Sequence, residues 1–415
     1  MQKNKTSDKV KRLRIYSIIA FAFMLVLVIM PRNSAGMPEI ENKLLITTMG
    51  LDKTESGYTV SAVVVMPQEN HGGAVSKIEA EAEGDSVSDA LENISIKMGK
   101  PLELGLCGLV IIGDTFGSES IKPHLSYLLA SGKIIPGAFL VAATNGMSAN
   151  KAIELANKLS DAASNVLSKL IEYNALGSNL PVVSMLRFLG ETNRKGESSF
   201  MPCLEISEGN QSGGKNASGS EKSSEKSGES SGDTKSSKDS EIKSLGKIAV
   251  YKGGVRVAIA DENITRGYTW SDKKSTLGLI TLDELKIKDN DYGEIHCQML
   301  AKKYSLETSF DGAPHATIKV KTKLALEERS KLGEVVREGK VTEREIEEAL
   351  KNGFEKKIKS EISSAVEFMR SGGADAFGFE DDLYRKHYRE YAAYDKKEAV
   401  LGDITVDCDV SIAIE

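Results

Sequence analysis

The sequence predicts a mixed α/β (α+β) fold of two or three domains, each a small mixed or antiparallel sheet with helices packed on it, after an N-terminal membrane segment. Strand-like and helix-like patterns alternate between residues 37 and 206, as expected for sheets covered by helices. A polar stretch at 207–244 interrupts these patterns completely. Residues 404–415 alternate apolar and polar side chains, which is typical of a strand with one buried and one solvent-exposed face.

The membrane segment is an apolar run from Ile15 to Met30, with six Lys or Arg residues ahead of it. This charge bias predicts that the basic end stays in the cytoplasm, so the chain after Pro31 is expected on the extracytoplasmic face. The run is intermediate between a signal-peptide core and a spanning helix, which needs about 17–25 residues. Small residues at 34–36 would permit cleavage of residues 1–36, but an uncleaved anchor in membrane lipid is favoured.

Composition limits the possible partners. The net charge of −6 argues against a nucleic-acid partner. Four cysteines are widely separated and form no CxxC pair. Cys107 lies in an apolar run and Cys408 shares a strand face with valines, so both are predicted to be free thiols in the core.

The block at 37–206 is predicted to form the N-terminal domain. Its helix after Ser86 begins with a capping-box-like pair, Ser86 and Asp89, and has an apolar face at helical spacing. The expected elements are strands at 43–49 and 58–66 joined as a hairpin, a helix from residue 86, a strand at 102–112, a helix at 120–130, a strand at 138–143, a long helix at 148–175 and a shorter helix from Pro181 to Gly190.

Residues 207–244 are predicted to be a disordered linker, since they hold almost no apolar side chain to offset the entropy cost of ordering. Residues 245–415 form a second block, which begins with a hairpin at Gly253-Gly254. This block is expected to contain two strands around Asp311-Gly312, a helix from Thr342 to Met369 opened by a Thr342–Glu345 capping box, and the final strand. That helix carries an apolar stripe at helical spacing.

The sequence reveals little chemistry, and no catalytic, cofactor-binding or metal-binding residue is assigned. The five histidines are scattered, and nucleotide-binding, nucleophile-elbow and zinc motifs are absent. The acidic group at 380–382 would suit either a cation or a solvated helix start, and the helix start is favoured. Four tyrosines could dock a partner or lipid, or pack a helix onto its own sheet, which is favoured; they are Tyr384, Tyr388, Tyr391 and Tyr394.

Four segments in order resemble the Ger(x)C family, the C subunits of spore germinant receptors. They are EIENKLLITTMGLDK at 39–53, EAEGDSVSDALENISIKMGKPLELGLCGLVIIGDTFG at 81–117, IAVYKGGVRVAIADENITRGYTW at 248–270 and DAFGFEDDLYRKHYREY at 375–391. The family's usual lipobox cysteine is missing, and Met37-Pro38 stands in its place.

The resemblance implies a non-enzymatic subunit on the outer face of the inner spore membrane. It also implies three mixed α/β domains, which we assign to an N-terminal domain at 37–206, a middle domain at 245–290 and a C-terminal domain at 291–415. Such a subunit would assemble with integral membrane subunits in a complex that senses nutrients and triggers germination. Without a lipobox, the segment from Ile15 to Met30 is expected to hold the protein at the membrane. Direct nutrient binding is left open. The alternatives are a membrane-anchored solute-binding protein and a cell-wall hydrolase.

Overall fold

The computed structural model describes residues 16–22, 24, 42–67, 75–158, 181–208, 240–244, 246–273, 278–288, 290–327, 332, 336–339, 341–394 and 400–415. The chain divides into two compact units, Met1–Lys43 and Leu44–Glu415. In the first unit, residues 16–22 and 24 are helical. Within the described ranges, no helix combines the length and the apolar character that a membrane span requires. The predicted anchor ends, Ile15 and Met30, and most of the predicted linker lie outside these ranges.

The second unit alternates strands and helices along the chain. Its strands are β1 (Leu44–Lys53), β2 (Tyr58–Pro67), β3 (Val75–Gly84), β4 (Leu102–Glu103), β5 (Leu109–Ile112), β6 (Phe139–Ala143), β7 (Ser198–Glu208), β8 (Ser240–Ser244), β9 (Ile248–Lys252), β10 (Val255–Ala260), β11 (Leu279–Leu282), β12 (Lys286–Ile287), β13 (Asn290–Asp291), β14 (Ile295–Asp311), β15 (Ala313–Leu326) and β16 (Thr405–Ile414). Its helices are α1 (Val87–Met98), α2 (Lys122–Ala130), α3 (Ala149–Lys158), α4 (Met185–Thr192), α5 (Glu262–Ser271), α6 (Glu343–Ser371), α7 (Phe379–Lys386), α8 (Tyr388–Ala393) and α9 (Val400–Asp403).

A ten-stranded mixed sheet forms the first half of this unit. Its order is β10-β9-β7-β6-β5-β1-β2-β3, with β4 beside β1 and β8 beside β7. The strands β1, β5, β6 and β7 run parallel, because intervening helices return the chain to the same edge. The predicted hairpin of β1 and β2 is confirmed, and β3 extends it.

Both faces of the ten-stranded sheet are covered. In β5, Val110 and Ile112 face the core beneath α1, α2 and α4, whereas Leu109 and Ile111 face the core beneath α3. This two-sided burial explains why β5 is a continuous apolar run instead of an alternating one. The predicted strand at 102–112 is in fact two strands, β4 and β5, separated by a turn that contains Cys107.

A four-stranded sheet, β11-β14-β15-β16, carries the second core. The predicted β14–β15 hairpin is confirmed, and β16 lies parallel to β15. Helix α6 packs on one face through the predicted apolar stripe, and its Thr342–Glu345 capping box is present. The capping box satisfies backbone groups that the first helical turn leaves unpaired.

Residues 245–290, predicted to be a middle domain, contribute to both sheets. Strands β9 and β10 extend the ten-stranded sheet through β7, whereas β11 pairs with β14. The predicted hairpin at Gly253-Gly254 is confirmed. The division into three domains stays a prediction.

Helix α5 connects the two cores. Tyr268 packs in the core of the ten-stranded sheet and Trp270 in that of the four-stranded sheet. The helix crosses α6 so closely that a Cβ atom at Gly267 would lie 2.0 Å from the carbonyl oxygen of Glu361. Trp270 Nε1 donates a hydrogen bond of 2.8 Å to the Glu361 carboxylate. The close helix crossing therefore explains why the segment TRGYTW, residues 265–270, contains a glycine and a tryptophan.

Asp52 has a long-range role that the sequence did not indicate. Residues 50–53, which follow the predicted strand at 43–49, continue β1. The buried Asp52 carboxylate accepts the backbone N–H groups of Ala149 (2.9 Å) and Asn150 (3.1 Å) and so caps α3. It also accepts the Thr115 hydroxyl at 2.9 Å. One acid at the end of a central strand thus fixes the start of α3 against the sheet.

A charged and aromatic cleft as the candidate functional site

An open cleft of about 1210 Å³ lies between the turn at 193–197, which joins α4 to β7, and helices α7 and α8. One wall carries Arg194 and Lys195, and the other carries Tyr384, Arg385 and Tyr388. A second hollow of about 610 Å³ shares part of this lining. The two hollows form one continuous surface feature, which we call the cleft.

Helix α7, which forms one wall, is fixed at its start by Asp375. The buried Asp375 carboxylate accepts the N–H groups of Gly378 (3.0 Å), Phe379 (3.0 Å) and Glu380 (2.6 Å). Gly378 adopts φ of 77°, a left-handed conformation that suits glycine. Burial raises the pKa of Asp375 to about 6, although the three N–H donors act in the opposite direction.

The acidic group at 380–382 forms the first turn of α7, so its interpretation as a helix start is confirmed. Each acid has its own partner. Glu380 accepts the Tyr391 hydroxyl at 2.5 Å, Asp381 lies 3.7 Å from Arg385, and Asp382 pairs with Lys386 at 2.8 Å. Among the residues with described positions, no group of three His, Cys, Asp or Glu side chains could hold a metal ion.

Of the four tyrosines, two pack against the protein itself and two are placed where they could contact a partner. Tyr391 is buried against the protein, and the Tyr394 hydroxyl donates to Asp403 at 2.8 Å. Tyr384 and Tyr388 line the cleft, with their rings edge-on and 5.4 Å apart. Tyr388 is 58% exposed. Two of the four therefore pack the helices, and the other two give the cleft an aromatic wall.

The facing wall is basic. Lys195 Nζ lies 5.3 Å from the centroid of the Tyr384 ring, within the range of a cation–π contact. Across the described ranges, neither Arg194 nor Lys195 has a carboxylate partner. The Arg385 side chain is 71% exposed. These cations and the exposed tyrosine can together bind a ligand that carries carboxylates.

A buried ionic network supports the floor of the second hollow. Arg187 pairs with Glu191 at 2.7 Å and with Asp272 at 3.1 Å. Lys302 donates to the Asp272 carbonyl at 2.7 Å and to that of Thr269, and burial lowers its pKa to about 8. Because Arg187 is on α4, Asp272 ends α5 and Lys302 is on β14, this network joins the two sheets. No local sequence pattern marks these residues.

The histidines remain separate, and the cysteines are free. His71 lies outside the described residues, and the others contact different partners: Glu119 for His124, Thr281 for His296, Asp407 for His315 and the Thr308 carbonyl for His387. Cys107 is buried as predicted, and Cys408 is half-buried against the second core. Burial raises the pKa of the Cys107 thiol to about 12.

Two family models match the chain in sequence order. The Spore germination protein N-terminal domain matches residues 36–206, and the Spore germination B3/GerAC like C-terminal domain matches residues 246–415. The crystal structure of the GerBC protein is similar with a TM-score of 0.50 and 14% sequence identity, covering 88% of this chain and 96% of that chain. A comparison with curated proteins finds no match.

The fold and these matches define a mixed α/β protein with a role in spore germination. The family models cover most of the chain, and the resemblance carried by the four sequence segments is confirmed. The chain belongs to the Ger(x)C family, the C subunits of spore germinant receptors.

Proposed function

We propose that this chain is a non-enzymatic, extracytoplasmic subunit of a nutrient germinant receptor, and that it assembles with integral membrane subunits. The observation that carries the proposal is the pair of family models, which match residues 36–206 and 246–415 in order. The chain would be held at the outer face of the inner spore membrane. Its apolar segment, Ile15 to Met30, would replace the lipid that the absent lipobox cysteine would have carried.

The cleft is our candidate for the contact with a membrane subunit. Arg194 and Lys195, which have no carboxylate partner among the described residues, and the exposed Arg385 are complementary to an acidic segment of a partner. The cleft also exposes Tyr388, and tyrosine is enriched at protein interfaces. The opening of about 1210 Å³ exceeds the roughly 300–1,000 Å³ of typical small-molecule sites, which favours a chain segment over a small solute.

The contact can be tested by charge reversal in the cleft. We expect Lys195→Glu/Arg385→Glu to reduce co-purification of a multi-span membrane chain with the tagged full-length protein by roughly tenfold or more. Like charges would then face the acidic segment, and about 1.4 kcal/mol corresponds to a factor of ten in affinity. The readout is the yield of the partner, identified by mass spectrometry, from detergent-solubilised spore membranes.

Arg344→Glu/Lys356→Glu is the matched control, because both residues are exposed on α6 and the charge change is the same. The control should retain the partner. An unchanged yield from the cleft variant, or an equal loss from the control, would exclude the cleft as the contact.

A further inference from the structure

Exposed apolar side chains gather where the parallel strands of the ten-stranded sheet begin. Ile96 is 69% exposed, Leu106 57%, Leu186 56% and Ile135 40%. They occur at the end of α1, before β5, at the start of α4 and before β6. We call this region, residues 96–108, 132–139 and 184–186, the basal edge.

Backbone hydrogen bonds hold the segments of the basal edge together. The N–H group of Phe139 donates to the Gly108 carbonyl at 2.9 Å, and that of Leu186 donates to the Pro136 carbonyl at 3.1 Å. Since these bonds cross between all three segments, the apolar side chains share one rim of the sheet. Exposed apolar side chains gathered at one rim are typical of a protein or membrane contact.

The chain enters the sheet at this same edge. Leu44, the first residue of β1, donates its N–H to the Pro101 carbonyl at 2.9 Å and pairs with Leu102. The 13 residues 31–43 separate it from the apolar run that ends at Met30. A stretch of that length reaches about 45 Å at most, so Leu44 lies within about 45 Å of a bilayer that holds the run.

The basal edge also carries basic side chains. Its charged residues are three lysines, Lys97, Lys100 and Lys133, and one acid, Glu103, which accepts the Gly105 N–H at 3.2 Å. The Lys97 ammonium also donates to the Glu81 carbonyl at 3.1 Å. At the opposite edge, where the parallel strands end, the charges are balanced, since Asp114 pairs with Arg256 and Glu119 with Lys53. Lysines beside exposed apolar side chains suit an anionic lipid surface.

We propose that the basal edge rests on the membrane, with Ile96 and Leu106 at the headgroup boundary and the three lysines against anionic headgroups. The proposal rests on the membrane location in the proposed function. It adds which face of the protein meets the lipid, and it orients the edge where the parallel strands end away from the bilayer.

The orientation can be measured with single labels on the full-length chain in phosphatidylglycerol-containing vesicles. Ile96→Cys and Leu106→Cys would each carry a fluorophore, and Ile259→Cys would serve as the control, because Ile259 is also exposed (41%) but lies on the edge strand β10. Cys107, Cys203 and Cys297 are buried, and labelling of half-buried Cys408 is measured on the unsubstituted chain. Headgroup-nitroxide lipids supply the quencher.

We expect roughly half or more of the emission to be lost at positions 96 and 106, and little at 259, since interfacial side chains lie within about 5–10 Å of the headgroups. Adding Lys97→Glu/Lys133→Glu should weaken the quenching at 106. Equal quenching at all positions, none at 96 and 106, or no effect of the charge reversal would overturn the proposal. Partner co-purification is a separate readout, so failure here would leave the proposed assembly standing.

Discussion

Gly267→Ala is expected to destabilise the protein by about 2 kcal/mol or more. Helix propensity alone would favour alanine in α5 by about 1 kcal/mol. However, the new Cβ would lie 2.0 Å from the Glu361 carbonyl oxygen and 2.9 Å from the Ala365 Cβ, so α5 and α6 must separate. Overpacking of a close contact costs about 1–3 kcal/mol, and here the obstacle is backbone that cannot rotate away.

The chain supplies its own reporter for this measurement. Trp270 is the only tryptophan, and it is buried at the same helix crossing. Its fluorescence during urea unfolding of the full-length chain in detergent should show a lower midpoint for Gly267→Ala. Gly190→Ala is the matched control, because Gly190 lies within α4 and an added Cβ would meet nothing within 4 Å beyond the backbone of its own helix. That control should gain about 0.4–1 kcal/mol, and equal behaviour of the two variants would refute the close crossing.

Arg187→Met is expected to destabilise the protein by about 3–5 kcal/mol. The Arg187 side chain is 14% exposed, and it is held between Glu191, at 19%, and Asp272, at 6%. Its removal leaves two carboxylates in a buried site without their cation, and breaking one partner of a buried pair has this magnitude. Since Asp272 ends α5 and Arg187 lies on α4, the loss should loosen the contact between the two sheets.

Arg344→Met provides the comparison for this prediction. Arg344 also pairs with a glutamate, Glu348, at 3.0 Å, but the two side chains are 87% and 60% exposed. Exposed pairs of this kind contribute about 0–1 kcal/mol, so this variant should unfold almost like the unchanged protein. If thermal unfolding showed equal shifts for the two variants, Arg187 would have no special role in joining the sheets.

Local patterns were predicted well from the sequence because they depend on neighbouring residues. The Thr342–Glu345 capping box and the apolar stripe of α6 need only a few turns of chain, and both are observed. Ser86 likewise accepts the Asp89 N–H at 3.1 Å at the start of α1. The helix expected from Pro181 instead begins at Met185, because Ser184 accepts the Arg187 N–H and caps it there.

Long-range features were not predicted, because no local pattern encodes them. Asp52 caps a helix that begins 97 residues later, and nothing near it in sequence shows this. Strands β3 and β7 were also missed: β3 is rich in charged residues on its exposed positions, and β7 runs into the polar stretch that was assigned to the linker. The cleft depends on Lys195 and Tyr384, which only the folded chain brings together.

The most direct test of a germinant-receptor subunit is nutrient-triggered germination of spores that lack this chain. In a strain without paralogues, deletion of the gene should abolish or strongly slow germination with the nutrients that the receptor senses, and the unchanged gene should restore it. Germination by a route that bypasses nutrient receptors should remain normal in the same spores. Normal germination of the deletion strain with every nutrient would contradict the proposed function.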